Sequence, residues 1–176
     1  MKQLLIVRHA KSSWENFAVP DFERPLNDRG KKDAPMMAER LVRSGISPDL
    51  LVTSTAKRAR KTAEFFARAF KLNDEQILEV PELYEASIET FFDVVSRTPG
   101  SASTVILFSH NPGITGFVNT LTNTRIDDMP TCAVFACSCD IDRWTDFRQA
   151  LRGDAYYCRS AQAPNLARFD SPGSLP

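Results

Sequence analysis

The first apolar run of the chain is Leu4-Leu5-Ile6-Val7-Arg8-His9-Ala10-Lys11-Ser12-Ser13, in which an Arg-His pair and small polar residues follow four apolar residues. Such a run is typical of a strand buried on both faces, as in a parallel sheet covered by helices. In open α/β sheets the ligand crevice lies beyond the carboxyl ends of the strands. The sequence therefore predicts that Arg8 and His9 lie at a site of chemistry.

A second stretch, Val105-Ile106-Leu107-Phe108-Ser109-His110-Asn111-Pro112-Gly113, repeats this pattern. The chain has two histidines, and both directly follow a predicted buried strand. A single histidine at such a point is more often an ordinary core or surface residue. Two histidines accompanied by arginines indicate a phosphate site. They argue only weakly for a metal, because no cysteine or carboxylate follows at ligand spacing.

Composition places the chain among ordinary soluble globular proteins. Its 176 residues fit one domain, with 43% hydrophobic and 25% charged residues. Lys+Arg and Asp+Glu balance at 22 each, so we expect neither nucleic acid nor an anionic membrane as a partner. No apolar run approaches the roughly 18 residues of a membrane-spanning helix. Because the first strand lies at the N-terminus, no signal peptide is expected and a cytoplasmic location is predicted.

Four cysteines, Cys132, Cys137, Cys139 and Cys158, occur without a Cys-x-x-Cys pair. On a strand, Cys137 and Cys139 share one face but cannot easily bridge each other. We interpret all four as small buried apolar residues of a reducing compartment.

Predicted strands alternate with predicted helices along the chain. The strands are expected at residues 4–7, 50–52, 76–80, 105–108, 133–139 and 155–159, and the helices at residues 30–43, 55–70, 88–97 and 113–122. This alternation predicts an α/β fold, a three-layer α/β/α sandwich with a mostly parallel central sheet. One domain is expected over residues 1–162, followed by an irregular Pro/Ser/Gly-rich tail over residues 163–176.

The ends of the first two helices carry specific signals. Asn27 or Asp28 is expected to cap the first helix, and Ser54 or Thr55 the second. Pro35 lacks a backbone N–H, which predicts either a kink or a later start of the first helix. Helical spacing predicts that one apolar stripe of this helix faces the sheet, formed by Ala34, Met37, Ala38, Leu41 and Val42.

Arg58 lies in the first turn of the second predicted helix, an unusual place for a cation because a helix N-terminus already carries partial positive charge. An anion bound there would reconcile the two. The alternative is a solvated arginine within the surrounding basic cluster of Lys57, Arg60 and Lys61. Residues 14–27, which contain two prolines, are predicted to form a long loop that leaves the crevice.

These residues resemble the motifs of a known family. Arg8-His9-Ala10 is similar to the Arg-His-Gly motif of the histidine phosphatase superfamily, which includes the phosphoglycerate mutases. Ser54-x-x-x-Arg58-Ala59-x-x-Thr62 and the Ser109–Gly113 stretch match further motifs. Asp21-x-x-Arg24-Pro25-Leu26-x-x-Arg29-Gly30 and Met129-Pro130-Thr131-Cys132-Ala133 resemble those of the SixA-type phosphohistidine phosphatases. The resemblance implies a phosphoglycerate mutase-like fold.

The resemblance also implies roles for individual residues. His9 would be a nucleophile that carries the phosphoryl group as phosphohistidine. Arg8, Arg58 and His110 would surround this group as cations, and Ser12 and Asn111 would add donors. These groups can neutralise a phosphate by themselves, so no metal and no cofactor are expected. Ala10 replaces the usual glycine, which is tolerable if the backbone there keeps a negative φ.

Leu83-Tyr84-Glu85 matches the spacing at which larger relatives carry a catalytic acid, which makes Glu85 the candidate and Glu82 its rival. A solvated loop carboxylate is an equally good interpretation of either residue. The chain also lacks the large insertions that build sugar-specific pockets in mutases. An open crevice favours a phosphorylated protein or a small phosphoester as the substrate.

Two classes of function follow. The first is a phosphatase that removes phosphate from phosphohistidine in a protein, with small phosphomonoesters or other phosphoproteins as alternative substrates. The second is a non-catalytic phosphate-binding module. The presence of both histidines and both arginines favours the enzyme, because binding alone does not require a nucleophile at the end of a strand.

Overall fold

The computed structural model describes residues 1–150 and the backbone of residues 158–160, and its helices and strands alternate. In chain order they are β1 Lys2–Arg8, α1 Asp28–Arg43, β2 Leu50–Thr53, α2 Lys57–Phe70, β3 Ile77–Glu79, α3 Ile88–Ser96, β4 Thr104–Ser109, α4 Gly113–Leu121, β5 Val134–Cys139, α5 Phe147–Ala150 and β6 Cys158–Ser160. The strands form one sheet in the order β3-β2-β4-β1-β5-β6. Strands β1 to β4 are parallel, and β5 and β6 are antiparallel to their neighbours.

Alternate residues of β1 enter two separate cores on opposite faces of the sheet. Leu5 belongs to the core under α1 and α2, which also contains Phe66. Ile6 belongs to the core under α3 and α4, which also contains Phe117. Burial on both faces explains the continuous apolar run in the sequence. The predicted α/β/α sandwich with a mostly parallel sheet is confirmed.

Helix α1 begins two residues before the predicted start. Asn27 caps it, because its side chain accepts a hydrogen bond from the Gly30 N–H at 2.9 Å. Pro35 lies inside the helix, so the predicted later start is wrong. Most of the predicted stripe is buried, but Val42 is 41% exposed and does not face the sheet.

Helix α2 has no side-chain cap, so the predicted capping role of Ser54 or Thr55 is wrong. The N-cap residue is Ala56, and the helix begins at Lys57. The Ser54 hydroxyl lies two residues before the N-cap position and accepts from the Ala56 N–H at 3.3 Å. It also contacts His110.

The C-terminal part of the described chain differs from the prediction in one element. A 3-10 turn at Trp144–Asp146 is followed directly by the short helix α5, which was not predicted. Strand β6 corresponds to the end of the predicted last strand. The predicted tail, residues 163–176, lies outside the described residues. Within the part of the chain that is described, no helix has the length and apolar character needed to cross a membrane.

Three of the four cysteines can be compared with the prediction. Cys132, Cys137 and Cys139 are buried, as expected. The side chain of Cys158 lies outside the described residues.

Candidate active site

The two histidines meet at the carboxyl edge of the sheet. β1 and β4 are adjacent and in register, with Arg8 opposite Ser109, so His9 and His110 leave the sheet side by side. Their ring centroids are 4.9 Å apart. Arg58 reaches the same point from the first turn of α2, and all three residues are buried. The structure thus brings together three of the predicted site residues.

The hydrogen bonds of His9 define the state of its ring. Nδ1 lies 2.8 Å from the Ala10 carbonyl oxygen, which can only accept, so Nδ1 carries the proton. Arg58 Nε, which can only donate, lies 3.1 Å from Nε2. His9 is therefore a neutral imidazole whose lone pair is on Nε2.

Burial keeps His9 in this neutral form. It lowers the pKa of His9 to about 3, against the opposing effect of the hydrogen bond to Ala10. The positive charges of Arg58, Arg8 and Arg24 lower the pKa further. At neutral pH the ring is unprotonated at Nε2, which is the form that a nucleophile needs.

His110 is held by a serine and differs from the expected cation. Its Nε2 lies 2.8 Å from Ser54 Oγ, whereas its Nδ1 is buried and has no hydrogen-bond partner among the described residues. Burial lowers the pKa of His110 to about 2, and the neighbouring His9 and Arg58 contribute. The ring is neutral in the protein alone. A phosphate dianion beside it would raise this pKa, and Nδ1 is free to bond such a group.

The 14–27 loop returns to the site, so the prediction that it leaves the crevice is wrong. Arg58 Nη1 donates to the Asp21 carbonyl oxygen and Nη2 donates to the Asp21 carboxylate at 2.9 Å. The same carboxylate accepts from Arg24 Nη2 at 2.7 Å and from the Tyr84 hydroxyl at 2.9 Å. Asp21 therefore joins two arginines and a tyrosine at the edge of the site.

Arg24 is a second buried arginine of the site and was not among the predicted site residues. It is 8% exposed, and its Nε and Nη1 are buried without a partner in the described part of the chain. Its guanidinium lies 3.5 Å from the centroid of the Trp14 ring. A signal was present in the sequence, because the spacing Asp21-x-x-Arg24 places both side chains on one side of a single helical turn.

Arg8 and Asn111 contact another loop instead of His9. Arg8 Nη1 donates to the Asp128 carboxylate at 3.1 Å and to the Met129 carbonyl oxygen. The Asn111 amide donates to the same two residues. The charge of Arg8 still reaches His9, since it helps to lower the pKa of that residue. The Asn111 amide nitrogen, in contrast, is engaged with the loop.

The remaining predicted residues, Ser12, Glu85 and Glu82, make no hydrogen bond to His9 or Arg58 in the described structure. Ser12 is buried and forms a β-bridge with Leu26. Glu85 is exposed, has a left-handed φ of 54°, and contacts neither His9 nor Arg58 in the described structure. Its charge does raise the pKa of Tyr84, after the larger effects of burial and of Asp21. Glu82 is exposed and pairs with Arg97 at 3.4 Å.

The backbone around Ala10 has the predicted conformation. The non-glycine residues with positive φ in the described chain are Lys71, Glu85 and Cys132, so Ala10 keeps a negative φ. Its N–H donates to Thr62 Oγ1 at 3.0 Å, and the Thr62 hydroxyl donates to the Arg58 carbonyl oxygen at 2.7 Å. Thr62 thus ties the turn after His9 to helix α2.

Comparison with known proteins shows that the sequence around these site residues is similar to that of a known family. The family model of the histidine phosphatase superfamily (branch 1) matches residues 4–91. An uncharacterised chloroplastic protein from Arabidopsis thaliana is 30% identical over 121 residues, which cover 64% of this chain and 55% of that protein. The chain spans about half the length of the first curated relatives that it matches, with 55% and 42% covered.

Solved structures share the fold. SixA from Agrobacterium tumefaciens, a candidate phosphohistidine phosphatase, has a TM-score of 0.70 at 27% identity, with 77% of this chain and 91% of that chain covered. A SixA candidate from Nakamurella multipartitia has a TM-score of 0.66 at 25% identity, with 84% and 90% covered. The matched sequence includes the strand that leads to His9 and the helix that carries Arg58. From its sequence and its SixA-type fold together, this chain belongs to the histidine phosphatase superfamily.

Proposed function

We propose that the chain is a phosphatase that removes a phosphoryl group from phosphohistidine in a protein, with His9 as the nucleophile. The observation that carries this proposal is the state of the His9 ring: Nδ1 is fixed by a carbonyl oxygen, and the lone pair on Nε2 faces Arg58. Residues 1–162 form the proposed catalytic domain, in a cytoplasmic location.

Two displacements complete the proposed reaction. In the first, the phosphoryl group displaces the Arg58 Nε–H from the lone pair of His9 Nε2, and Nε2 attacks phosphorus. The bond from phosphorus to the substrate nitrogen breaks, and the departing imidazole takes a proton from solvent. In the second, water attacks phosphorus, gives up a proton, and the bond between phosphorus and Nε2 breaks to release phosphate. The phosphoryl oxygens would be stabilised by Arg58, by Nδ1 of His110 and by the charge of Arg8. Ser12 remains a proposed further donor.

The choice of substrate is supported by the SixA neighbours and by the catalytic groups themselves. SixA from Agrobacterium tumefaciens is described as a candidate phosphohistidine phosphatase. Hydrolysis of phosphohistidine does not depend on a positioned acid, because the free ring nitrogen of the substrate can be protonated by solvent. The exposure of Glu85 and Glu82 agrees with such a substrate.

A trapping experiment tests the nucleophile. Brief reaction with a ³²P-labelled phosphohistidine protein, quenched without acid, should label the enzyme through a bond that is labile in acid and stable in base. His9→Ala should abolish the label, whereas His110→Gln should retain a labelled and slower enzyme. Label that persists in His9→Ala would exclude His9 as the nucleophile. A wild-type enzyme that binds phosphate and never turns over would favour a binding module.

One observation favours hydrolysis of small phosphomonoesters as a second candidate. The charge of Glu85 reaches Tyr84, whose ring packs edge-on against His110 at 5.5 Å. Glu85 directly follows Tyr84 in the chain and is therefore a candidate acid for an alkoxide leaving group, which needs one.

A further inference from the structure

Arg58 is buried deeply in the site, and one carboxylate holds it there. Its side chain is 5% exposed, and each of its three nitrogens makes one hydrogen bond. Nε donates to His9, and both terminal nitrogens donate to Asp21. Among the described residues, Asp21 is the anion that pairs with Arg58. Arg24 pairs with the same carboxylate, so its positive charge lies near Arg58 and repels it.

Asp21 is itself fixed from two other directions. Its second oxygen accepts from Arg24 at 2.7 Å, and the oxygen facing Arg58 also accepts from the Tyr84 hydroxyl at 2.9 Å. These donors come from the 14–27 loop and from the segment after β3, so the carboxylate is held between two parts of the chain.

We propose that Asp21 is a positioning residue, which holds the Arg58 guanidinium with its Nε edge beside Nε2 of His9, where the phosphoryl group would be transferred. The proposal rests on the assignment of His9 and Arg58 in the proposed function. By engaging both terminal nitrogens, Asp21 leaves the Nε edge as the one directed at His9. Asp21 contacts neither the His9 ring nor the His110 ring in the described structure, and it therefore acts through Arg58.

The chemistry of Asp21 argues against a role as an acid. Burial alone would raise its pKa, but the hydrogen bond from Tyr84 and the charges of Arg58 and Arg24 outweigh burial and lower the pKa. The side chain is 47% exposed and stays ionised at neutral pH. An ionised carboxylate orients guanidinium groups and has no proton to donate.

The proposal predicts that loss of the carboxylate lowers kcat without weakening the affinity for phosphate. Without the Asp21 carboxylate, Nη2 of Arg58 is free to bind phosphate, whereas Nη1 keeps its bond to the main-chain carbonyl oxygen of residue 21. One negative charge near the phosphate is also gone. The affinity for phosphate or vanadate should be unchanged or higher. The misplaced guanidinium should nevertheless lower kcat, by up to about 10²-fold for a displacement near 1 Å.

The test compares Asp21→Asn and Asp21→Ala with Asp28→Asn as the control. Asp28 follows the same loop, is 94% exposed, and pairs only with Lys31 at 3.4 Å within the described chain. We expect a large loss of kcat in both Asp21 variants, with the inhibition constant of inorganic phosphate unchanged or lower. The control should match the wild type. Wild-type kcat in Asp21→Ala, or a phosphate constant that weakens together with kcat, would overturn the proposal.

A second readout does not depend on turnover. The chain has two histidines and both lie in the site, so ¹⁵N-histidine labelling reports on this site alone. Loss of the bond from Arg58 should move the Nε2 resonance of His9 downfield in the Asp21 variants. His110, which bonds Ser54, should keep its resonances and show that the fold is intact. An unchanged Nε2 resonance would reject the inference even if the wild type were inactive, whereas inactivity by itself would reject only the proposed function.

Discussion

The positive charge of the site comes from its arginines and not from its histidines. His9 and His110 are both neutral, since burial lowers the pKa of each far below 6.5. The charge comes from Arg8, Arg24 and Arg58. Within the described part of the chain, the carboxylates that pair with them are that of Asp21, which is half-exposed, and that of Asp128, which is exposed. Two buried arginines and the partly buried Arg8, beside two neutral imidazoles, favour an anion over a cation.

The two buried histidines should make the protein less stable as the pH falls. In the unfolded chain both protonate near pH 6.5, whereas in the folded protein burial lowers the pKa of His9 to about 3 and that of His110 to about 2. The unfolded state therefore binds more protons between these values. The stabilisation is complete above about pH 6.5 and is lost on acidification, by up to about 1.4 kcal/mol per pH unit for each histidine.

Urea denaturation between about pH 5 and 8 measures this dependence. His9→Asn should reduce the slope of the free energy of unfolding against pH by about half, because one of the two histidines is removed. An unchanged slope would mean that His9 titrates normally in the folded protein.

The substitution Glu85→Gln separates the two candidate substrates. If Glu85 serves as an acid, this change should slow hydrolysis of phosphoserine by about 10²–10⁴-fold and that of phosphohistidine much less. Glu82→Gln is the matched control, since Glu82 is a nearby exposed glutamate that pairs with Arg97. Measurement of kcat/KM for both substrates gives the ratio. An equal loss of kcat/KM on both substrates would indicate that Glu85 positions other groups. No loss on either substrate would indicate that Glu85 is a solvated surface residue.

The sequence predicted the site residues that follow buried strands and missed those brought in by loops. His9 and His110 were predictable because each adjoins an apolar strand, and Arg58 because a cation at a helix N-terminus is unusual. Asp21 and Tyr84 were not, since their hydrogen bond joins residues 63 positions apart in two irregular segments. The low pKa of His110 also depends on burial, which its neighbours in sequence do not specify.

At the level of elements, helix α1 and the turn after His9 are in very close contact. A Cβ at Gly30 would lie 2.2 Å from the Lys11 carbonyl oxygen. That oxygen also accepts from the Asn27 N–H at 3.0 Å, which anchors the end of the 14–27 loop. Glycine at this position allows the loop that carries Asp21 and Arg24 to close on the site.

Gly30→Ala should therefore impair both stability and activity. We expect the free energy of unfolding to fall by about 1–3 kcal/mol, typical of overpacking, and kcat/KM to fall because the loop shifts. Gly100→Ala is the control, as a Cβ there meets nothing within 4 Å. Urea denaturation and kinetics on the same samples test this, and a Gly30→Ala variant as stable and active as the control would show that the helix can move away freely.

The strands and helices were predicted well where periodicity is strong, and less well at their ends. The buried strands and the stripe of α1 up to Leu41 follow from their patterns. The cap of α2 was mispredicted because the Ser54 hydroxyl contacts His110, a tertiary contact with a residue 56 positions away. Helix α5 has four residues, too few for a periodic pattern to predict it.

For the whole molecule, metal independence remains a prediction that chelation can test. No group of three or more histidine, cysteine, aspartate or glutamate residues in the described chain is arranged to hold a metal ion. We expect activity to survive extensive treatment with EDTA, while vanadate, which mimics five-coordinate phosphorus, inhibits. Activity that is lost to EDTA and restored by a divalent ion would contradict the proposed mechanism.

The position of β1 in the sheet has a consequence for biosynthesis. Its two neighbours are β4 and β5, so Leu5 pairs with Ile106 and Ala136. The ribosome therefore synthesises β1 long before it synthesises either of the partner strands. Until then the apolar residues of β1 are unpaired in the nascent chain, where chaperones would bind them. β4 then enters between β1 and β2, and the same step delivers His110. A nascent chain that ends before β4 contains both His9 and Arg58 and has no strand that brings them together.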